Sequence, residues 1–527
     1  MTAVLTPELS ALAARRRPGA RVAELLCNPR RALCAAVALA TASVGFDALS
    51  DPDVWWHMRL GQWILANHQV PKGDLFSYTA AGNPLTAHEW LSDVSFAVMA
   101  AAGGLFLVAL VVGLAAWSGM LAIALRGRAR GGGPLVIALG LALGAKAAEP
   151  VLGTRPQVLT FALVCWTLWL ADSYLRRGGR RILLFPAVFL VWANLHAGFV
   201  AGLGLLVLVV TAEGLKRWLR LDAAAAPDRV RRLALAIGAS ALAACLNPAG
   251  PFLYRFALTV SATESQKAIV EWQTPNFHDP GLWALLALLV TFAMLPALGG
   301  RLDLRDGLLA AAGVALALMA VRDTAICVAV LTPAWIGMAG DVGRGFAARR
   351  AAVGAARRER RWRVTPMGVA MGALVVGVGA TAAGVSVGRL KAEAASPAVA
   401  QAYPACAADL LARSPVPQRV FAEYASAGYI VHRLYPHALV YEYGESISLG
   451  LPVFTNYMRI AAGTRTAPSA TQLLAQSGTT AVLYPRGVLT AALDSTTGWT
   501  RVLSDPSGRL LYLHGDASWA SGATCAS

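Results

Sequence analysis

The chain has 527 residues, 57% of them hydrophobic and only 14% charged, whereas soluble domains carry about a quarter charged residues. That deficit argues against a single soluble enzyme and predicts a multi-span membrane protein. The net charge of +17 does not signal nucleic-acid binding. Its basic residues fall in short blocks, 15–17, 126–130, 176–181, 216–232 and 344–363, between apolar runs, as positive-inside loops do, and no aromatic-interleaved basic domain accompanies them.

A basic segment, 1–31, precedes the first apolar run and reads as a cytoplasmic N-terminus followed by an uncleaved signal anchor. Eleven apolar runs lie near the ~20 residues a bilayer requires. They cover 32–50, 104–125, 134–152, 157–175, 182–196, 197–215, 233–248, 281–298, 307–321, 325–342 and 366–388. The basic blocks alternate between them. This puts the N-terminus inside, and 51–103, 249–280 and the chain from Arg389 outside.

The first outer loop, 51–103, opens with Asp51-Pro52-Asp53, then Trp55, Trp56, His57 and Arg59. Trp56, Leu60, Trp63 and Ile64 share one face of a helix over 54–67, which is expected to lie in the membrane interface. A second juxtamembrane helix is expected over 89–102, ended by Gly103 and Gly104. Asp51 and Asp53 allow two readings. A carboxylate walled by tryptophans at a membrane surface is partly desolvated and suits a general base acting on a hydroxyl. Equally, Asp-Pro-Asp caps the following helix. His88 and Glu89 suit a divalent metal, or a phosphate and acceptor, although adjacent side chains on a helix point apart. The alternative places Glu89 at the positive end of a helix dipole.

Further along, Lys146 and Glu149 are one turn apart and suit a simple ion pair. Arg155-Pro156-Gln157 opens the fourth run, Asn194 and His196 close the fifth, Glu271 lies in 249–280, and Arg322-Asp323 forms the turn between the ninth and tenth. Each alone reads as structural. Polar groups at membrane depth are costly and usually face a cavity or a partner, so together they predict one outward-facing polar cavity. Its cations would stabilise a lipid phosphate.

From about Ala398 the composition becomes that of a small soluble module. Strands are expected at 420–423, 438–442, 481–484, 500–503 and 510–513, and helices at 405–413, 424–434 and 471–476, an α/β alternation. Cys34, Cys165, Cys245 and Cys327 read as core residues, while Cys406 and Cys525 bracket the module and would pair in an oxidising compartment. No P-loop or GxGxxG occurs, which argues against a nucleotide-powered pump. The expected architecture is an α-helical polytopic membrane domain over 32–388 with a small α/β domain over 389–527.

The outer-loop residues form a specific pattern: Asp53, Trp56, His57, Gly61, Trp63, Ile64, Pro71, Asp74, Phe76, Ser77, Thr79, Gly82, Pro84, His88, Glu89, Trp90 and Leu91. With Arg155-Pro156-Gln157 and Asn194-x-His196 they resemble bacterial family-39-like membrane proteins of the GT-C superfamily. That superfamily includes protein mannosyltransferases, aminoarabinose transferases and oligosaccharyltransferases. The resemblance implies transfer of a sugar from a polyprenyl-phosphate donor to a lipid, glycan or protein acceptor, with inversion, outside the bacterial cytoplasmic membrane. It assigns Asp53, or Asp51, as general base. His57, Arg59, His88, Glu89, Arg155, His196 and Arg322 would bind substrate or phosphate, and a divalent metal, where one is used, would sit on Asp53, His88 and Glu89. Trp55, Trp56 and Trp63 would seat the loop in the interface. Phe421-x-x-Tyr424 and Gly428-Tyr429-Ile430 fit the tail of such proteins, whereas Tyr441-Glu442-Tyr443-Gly444-Glu445 departs from it. Two rival readings are a transporter or flippase, which would favour inverted repeats and broken helices, and a non-catalytic scaffold or sensor working through the C-terminal module.

Overall fold

The computed structural model describes residues 18–525 except 48, 50, 222–223, 261–262, 264–265, 267–268 and 353–363. The basic block 15–17, and the part of 344–363 from residue 353 onward, lie outside the described residues, as does part of the 249–280 loop.

Apolar periodicity and Pro or Asn starts set the helices of the first three-quarters of the chain. They run α1 Pro18–Leu26, α2 Pro29–Ala40, α3 Asp53–Asn67, α4 Trp90–Ala129, α5 Pro134–Ala148, α6 Gln157–Arg177, α7 Phe185–Leu195 and α8 Phe199–Trp218. There follow α9 Pro227–Ala243, α10 Phe252–Thr259, α11 Trp283–Met294, α12 Leu304–Met319, α13 Thr324–Ala352 and α14 Pro366–Glu393. Each of the eleven apolar runs falls on one of these helices. Six helices, α4, α5, α6, α8, α13 and α14, are long and apolar enough to cross a membrane, and the chain is a multi-pass membrane protein. The other five runs fall on shorter helices, of which α2 and α11 have 12 residues and α7 has 11. At ~1.5 Å per residue these last fall well short of a ~30 Å hydrocarbon core.

Helix α4 carries both the expected juxtamembrane helix and the second apolar run. It breaks where expected, with Gly103 and Gly104 out of helical geometry and Gly104 at φ 64°. Beyond the break, Arg126 and Arg130 of α4 pair with Asp172 of α6 at 3.0 and 2.9 Å. Arg130 also binds Asp306 of α12, and Lys216 of α8 bridges Glu213 and Asp303. A buried network of opposite charges thus joins four helices at the ends remote from the outer loop.

Residues from Ser396 form the C-terminal module: α15 Ser396–Ala402, α16 Ala405–Leu411, β1 Gln418–Ala422, α17 Tyr424–Leu434, β2 Ala438–Val440, α18 Ser446–Ala461, α19 Ala470–Gln476, β3 Ala481–Pro485, α20 Val488–Asp494, β4 Trp499–Ser504 and β5 Arg509–His514. The sheet order is β2-β1-β3-β5-β4. β1 runs parallel to β2 and β3, and β5 is antiparallel to β3 and β4. All five strands stand where the sequence put them, although β2 stops at Val440. Helices α15, α18 and α20 were not foreseen, α18 because Gly450 and Pro452 inside it read as breakers. Cys406 and Cys525 are joined by a disulfide. Cys165 and Cys327 are buried as expected, whereas Cys34 and Cys245 are only half-buried.

The module grips the outer loop. The amide of Val440, at the edge strand β2, donates to the Phe76 carbonyl at 2.9 Å, and the amide of Tyr78 donates to the Val440 carbonyl at 3.1 Å. The Tyr443 hydroxyl donates to Asp74 Oδ1 at 2.6 Å. Helix α3 lies between α4 and α17. On one side Gly61 lets the helices touch, since a methyl group there would sit 1.9 Å from the Asp93 carbonyl oxygen. On the other, Trp55 meets Tyr403 and Tyr429 edge-on at 5.3 and 5.0 Å. The expectation that Trp55 and Trp56 seat this loop in lipid headgroups is therefore corrected: both are buried in protein, while Trp63 is partly buried.

Candidate functional site

A cavity of about 800 Å³ opens where α3, the start of α4, the α5–α6 and α12–α13 turns and the C-terminal module meet. Asp53, His57, His88, Glu89, Arg155, His196, Glu271, Arg322 and Asp323 all line it. From this polar end an apolar arm extends between α8 and α12, walled by Val200, Gly204, Leu208, Ala312, Leu316 and Met319.

Asp53 is the first residue of α3, where the helix dipole favours an anion. Its amide donates to Asp51 Oδ1 at 3.0 Å, so Asp51 does cap the helix start. The second oxygen of Asp51 forms an ion pair with Arg155 Nε at 3.0 Å. Burial, reinforced by the Asp51 charge, pushes the Asp53 carboxyl up to about 7 against the pull of His57 and Arg155. The chain after β2 lies directly on this carboxyl. A methyl group on Gly444 would stand 2.1 Å from Asp53 Oδ1 and 2.5 Å from Trp56 Nε1, so only glycine fits.

His57 is four residues beyond Asp53 on the same helix face, and Asp93 is four beyond Glu89 on α4. Their side chains interlock: His57 Nδ1 donates to Asp93 Oδ1 at 2.6 Å, leaving Nε2 3.5 Å from Glu89 Oε2. His88 Nε2 and His196 Nε2 lie 3.4 and 3.2 Å from Glu89 Oε1. His196 accepts the Gly198 amide on Nδ1 at 2.8 Å, which leaves its proton on Nε2, facing Glu89. Burial opposes the charge on Glu89, but the imidazoles outweigh it and hold the carboxyl well below its ordinary range. Burial likewise opposes the His88 cation, and the neighbouring Glu89 and Glu445 carboxylates win, pushing His88 up to about 9.

The cations of the opposite wall are fixed by a carboxylate. Arg155 binds Glu271 at 2.7 Å, and Arg322 approaches the same carboxylate at 3.6 Å. Arg322 stacks over the Trp272 ring at 4.1 Å and donates to Gln157 Oε1 at 2.9 Å. Two guanidinium groups from the turns before α6 and α13 thus share the cavity with Asp53.

No family model matches the chain, and no curated protein matches it in sequence. Solved structures do. The archaeal oligosaccharyltransferase AglB from Archaeoglobus fulgidus, in complex with an inhibitory peptide and a dolichol-phosphate, is similar at 11% identity and TM-score 0.56, over 92% of this chain and 74% of that one. Its apo form gives 12% and 0.56, over 86% and 69%. ArnT from Cupriavidus metallidurans in the apo state gives 15% and 0.50, over 92% and 97%. The chain shares its overall fold with these solved structures.

Within this fold, seven of the nine residues picked out in the sequence come together at one cavity: Asp53, His57, His88, Glu89, Arg155, His196 and Arg322. Two do not. Asp51 stands behind the wall, holding Arg155. Arg59, expected to bind substrate, points away, because a side chain two residues beyond His57 emerges on the far face of α3. Its guanidinium donates to the Tyr435 carbonyl and to Gln62 Oε1 and lies over the Tyr435 ring at 5.5 Å, tying α3 to the module. His88 and Glu89 do not splay apart as helix neighbours would, since α4 begins only at Trp90. The Lys146–Glu149 pair forms as expected and is exposed. Sequence reasoning missed Tyr424, Gly444 and Glu445, which the module brings to the cavity wall. Glu445 is buried beside His88 and Glu89, and burial pushes its carboxyl up to about 7.

The residues read as metal ligands line the cavity without their ligand atoms being drawn together. Asp53, His88 and Glu89 share the cavity, but among the described residues the only three ligand atoms gathered within 4.8 Å belong to Cys406, Asp505 and Cys525. Two of those are joined in the disulfide.

Proposed function

We propose that the protein is a membrane glycosyltransferase that moves a sugar from a polyprenyl-phosphate donor to a hydroxyl acceptor at the outer face of a bacterial cytoplasmic membrane. The observation that carries the reading is the shared cavity. A buried carboxyl, two arginines and an apolar arm meet there, the three features an acceptor proton, a phosphate and a prenyl chain require. The dolichol-phosphate bound in AglB supports a lipid-phosphate donor.

In this reading the prenyl chain lies between α8 and α12, with the phosphodiester at Arg155 and Arg322. Asp53 takes the proton of the acceptor hydroxyl as its oxygen bonds to the anomeric carbon. The bond from that carbon to the phosphate oxygen breaks, and its electron pair leaves with the lipid phosphate. The arginines stabilise the charge that develops there. One displacement inverts the anomeric configuration. Interlocked with Asp93 and Glu89, His57 fixes the α3–α4 corner that carries Asp53. The acceptor is a lipid, glycan or protein hydroxyl.

The Cys406–Cys525 disulfide supports an oxidising, extracytoplasmic setting for the module, with the N-terminus on the cytoplasmic side. Asp53→Asn tests the assignment. Transfer should fall by about 10²–10⁴-fold, the loss of a general base, with binding of decaprenyl phosphate retained. Full transfer by this variant would refute the role of Asp53.

A further inference from the structure

Arg155 carries two carboxylate partners that differ in kind. Asp51 belongs to the helix cap, keeps 9% of its side chain accessible and does not line the cavity. Glu271 keeps 31% accessible, lines the cavity and reaches Arg155 and Arg322 at once. It is presented by a single 3-10 turn, Val270–Trp272, with no buried residue. The turn is held beside Arg322 by Trp272 beneath the guanidinium and by the Val321 amide donating to the Gln273 carbonyl at 3.0 Å.

Charge makes the consequence definite. Two arginines already face Asp51, Glu271 and, beside Arg322, Asp323, so no positive charge is left unmatched, and the oxygens of Glu271 stand where phosphate oxygens would bind the same guanidinium groups. A phosphodiester entering beside an ionised Glu271 would be repelled. Arg155 and Arg322 outweigh burial and hold the Glu271 carboxyl below its ordinary value, so it does not shed its charge by protonation.

We propose that Glu271 is a positioning residue that occupies the arginine pair as a surrogate anion, yields it to the phosphate of the lipid donor, and reclaims it as the lipid phosphate leaves. This rests on the phosphate site proposed above. Asp51 stays on Arg155 throughout, so the guanidinium keeps its orientation during the exchange. The leaving lipid phosphate is a monoester with nearly twice the charge of the bound diester. A returning carboxylate therefore offsets its tighter grip on the arginines.

The test is binding of decaprenyl phosphate to the full chain in lipid nanodiscs, for wild type, Glu271→Gln, Arg155→Gln and Arg322→Gln. Removing a like charge at this range should tighten Glu271→Gln by about tenfold, while each arginine variant weakens binding by about tenfold or more. Glu271→Ala should shift affinity in the same direction as Gln, a control for any new hydrogen bond from the amide. Unchanged or weaker binding by both Glu271 variants, with the arginine variants impaired, would overturn the exchange and reduce Glu271 to an orienting partner. Unchanged binding by both arginine variants would instead remove the phosphate site itself, and the exchange with it.

Discussion

As the proposed base, Asp53 acts through its ionised carboxylate, and burial beside Asp51 pushes that carboxyl up to about 7. The base form therefore grows as pH rises through that value. Initial rates of transfer at subsaturating substrate should climb across neutrality and level off above it. Asp51→Asn removes the neighbouring charge that raises Asp53, so the inflection should move to lower pH, and a profile flat between pH 5 and 8 in wild type would contradict the assignment. Gly444→Ala places a methyl group on the same carboxyl; a displacement of about an ångström costs on the order of 10²-fold in rate, measured against unchanged lipid-phosphate binding. Arg59→Ala separates fixation from chemistry. Losing its bonds to Tyr435 and Gln62 should lower the melting temperature, at about 1–3 kcal/mol, and leave lipid-phosphate affinity intact. Asp53, His88, Arg155 and Arg322 were legible in the sequence because each is a charge stranded beside an apolar run, where only a cavity or partner makes it tolerable. Arg59 carried the same signal, and the direction of its side chain was not legible.

Helix α3 shows what periodicity reveals and what it conceals. Its apolar face was plain from Trp56, Leu60 and Ile64, yet spacing alone does not say whether lipid or protein covers that face. The covering comes from α17, whose Gly428 packs so closely that a methyl group would sit 2.9 Å from the Pro52 carbonyl oxygen. The same non-locality hid Glu445. It reaches the cavity only because β2 pairs with the loop strand around Ser77, a contact spanning more than half the chain. The strands themselves were legible, being short β-branched and aromatic runs between turn residues. At the remote ends of α4, α6, α8 and α12, Asp172 is buried and paired with both Arg126 and Arg130. Asp172→Asn should destabilise the bundle by about 3–5 kcal/mol, as breaking a buried pair from one side does. Thermal unfolding in detergent measures it, and a shift within error would mean the network holds nothing together.

Across the whole molecule, the membrane domain and the module build one chamber between them. The module supplies Tyr424, Gly444 and Glu445; α3, the start of α4 and the turns before α6 and α13 supply Asp53, His57, Glu89, Arg155 and Arg322. The sequence marked both halves without their joint, since the docking of one on the other rests on close glycine contacts, loop carbonyls and the long-range partners of Arg59 and Asp74, none of which a local pattern reveals. The proposed outward-facing chamber carries a topology with it: a residue in the module should be labelled from outside intact cells, and one near the N-terminus only after lysis. The measurement closest to the central claim is a structure of the protein with decaprenyl phosphate bound. The account predicts the phosphate between Arg155 and Arg322, within reach of the side of the cavity where Asp53 stands, and the prenyl chain along α8 and α12. Lipid phosphate bound elsewhere, with those arginines still closed on Glu271, would contradict it.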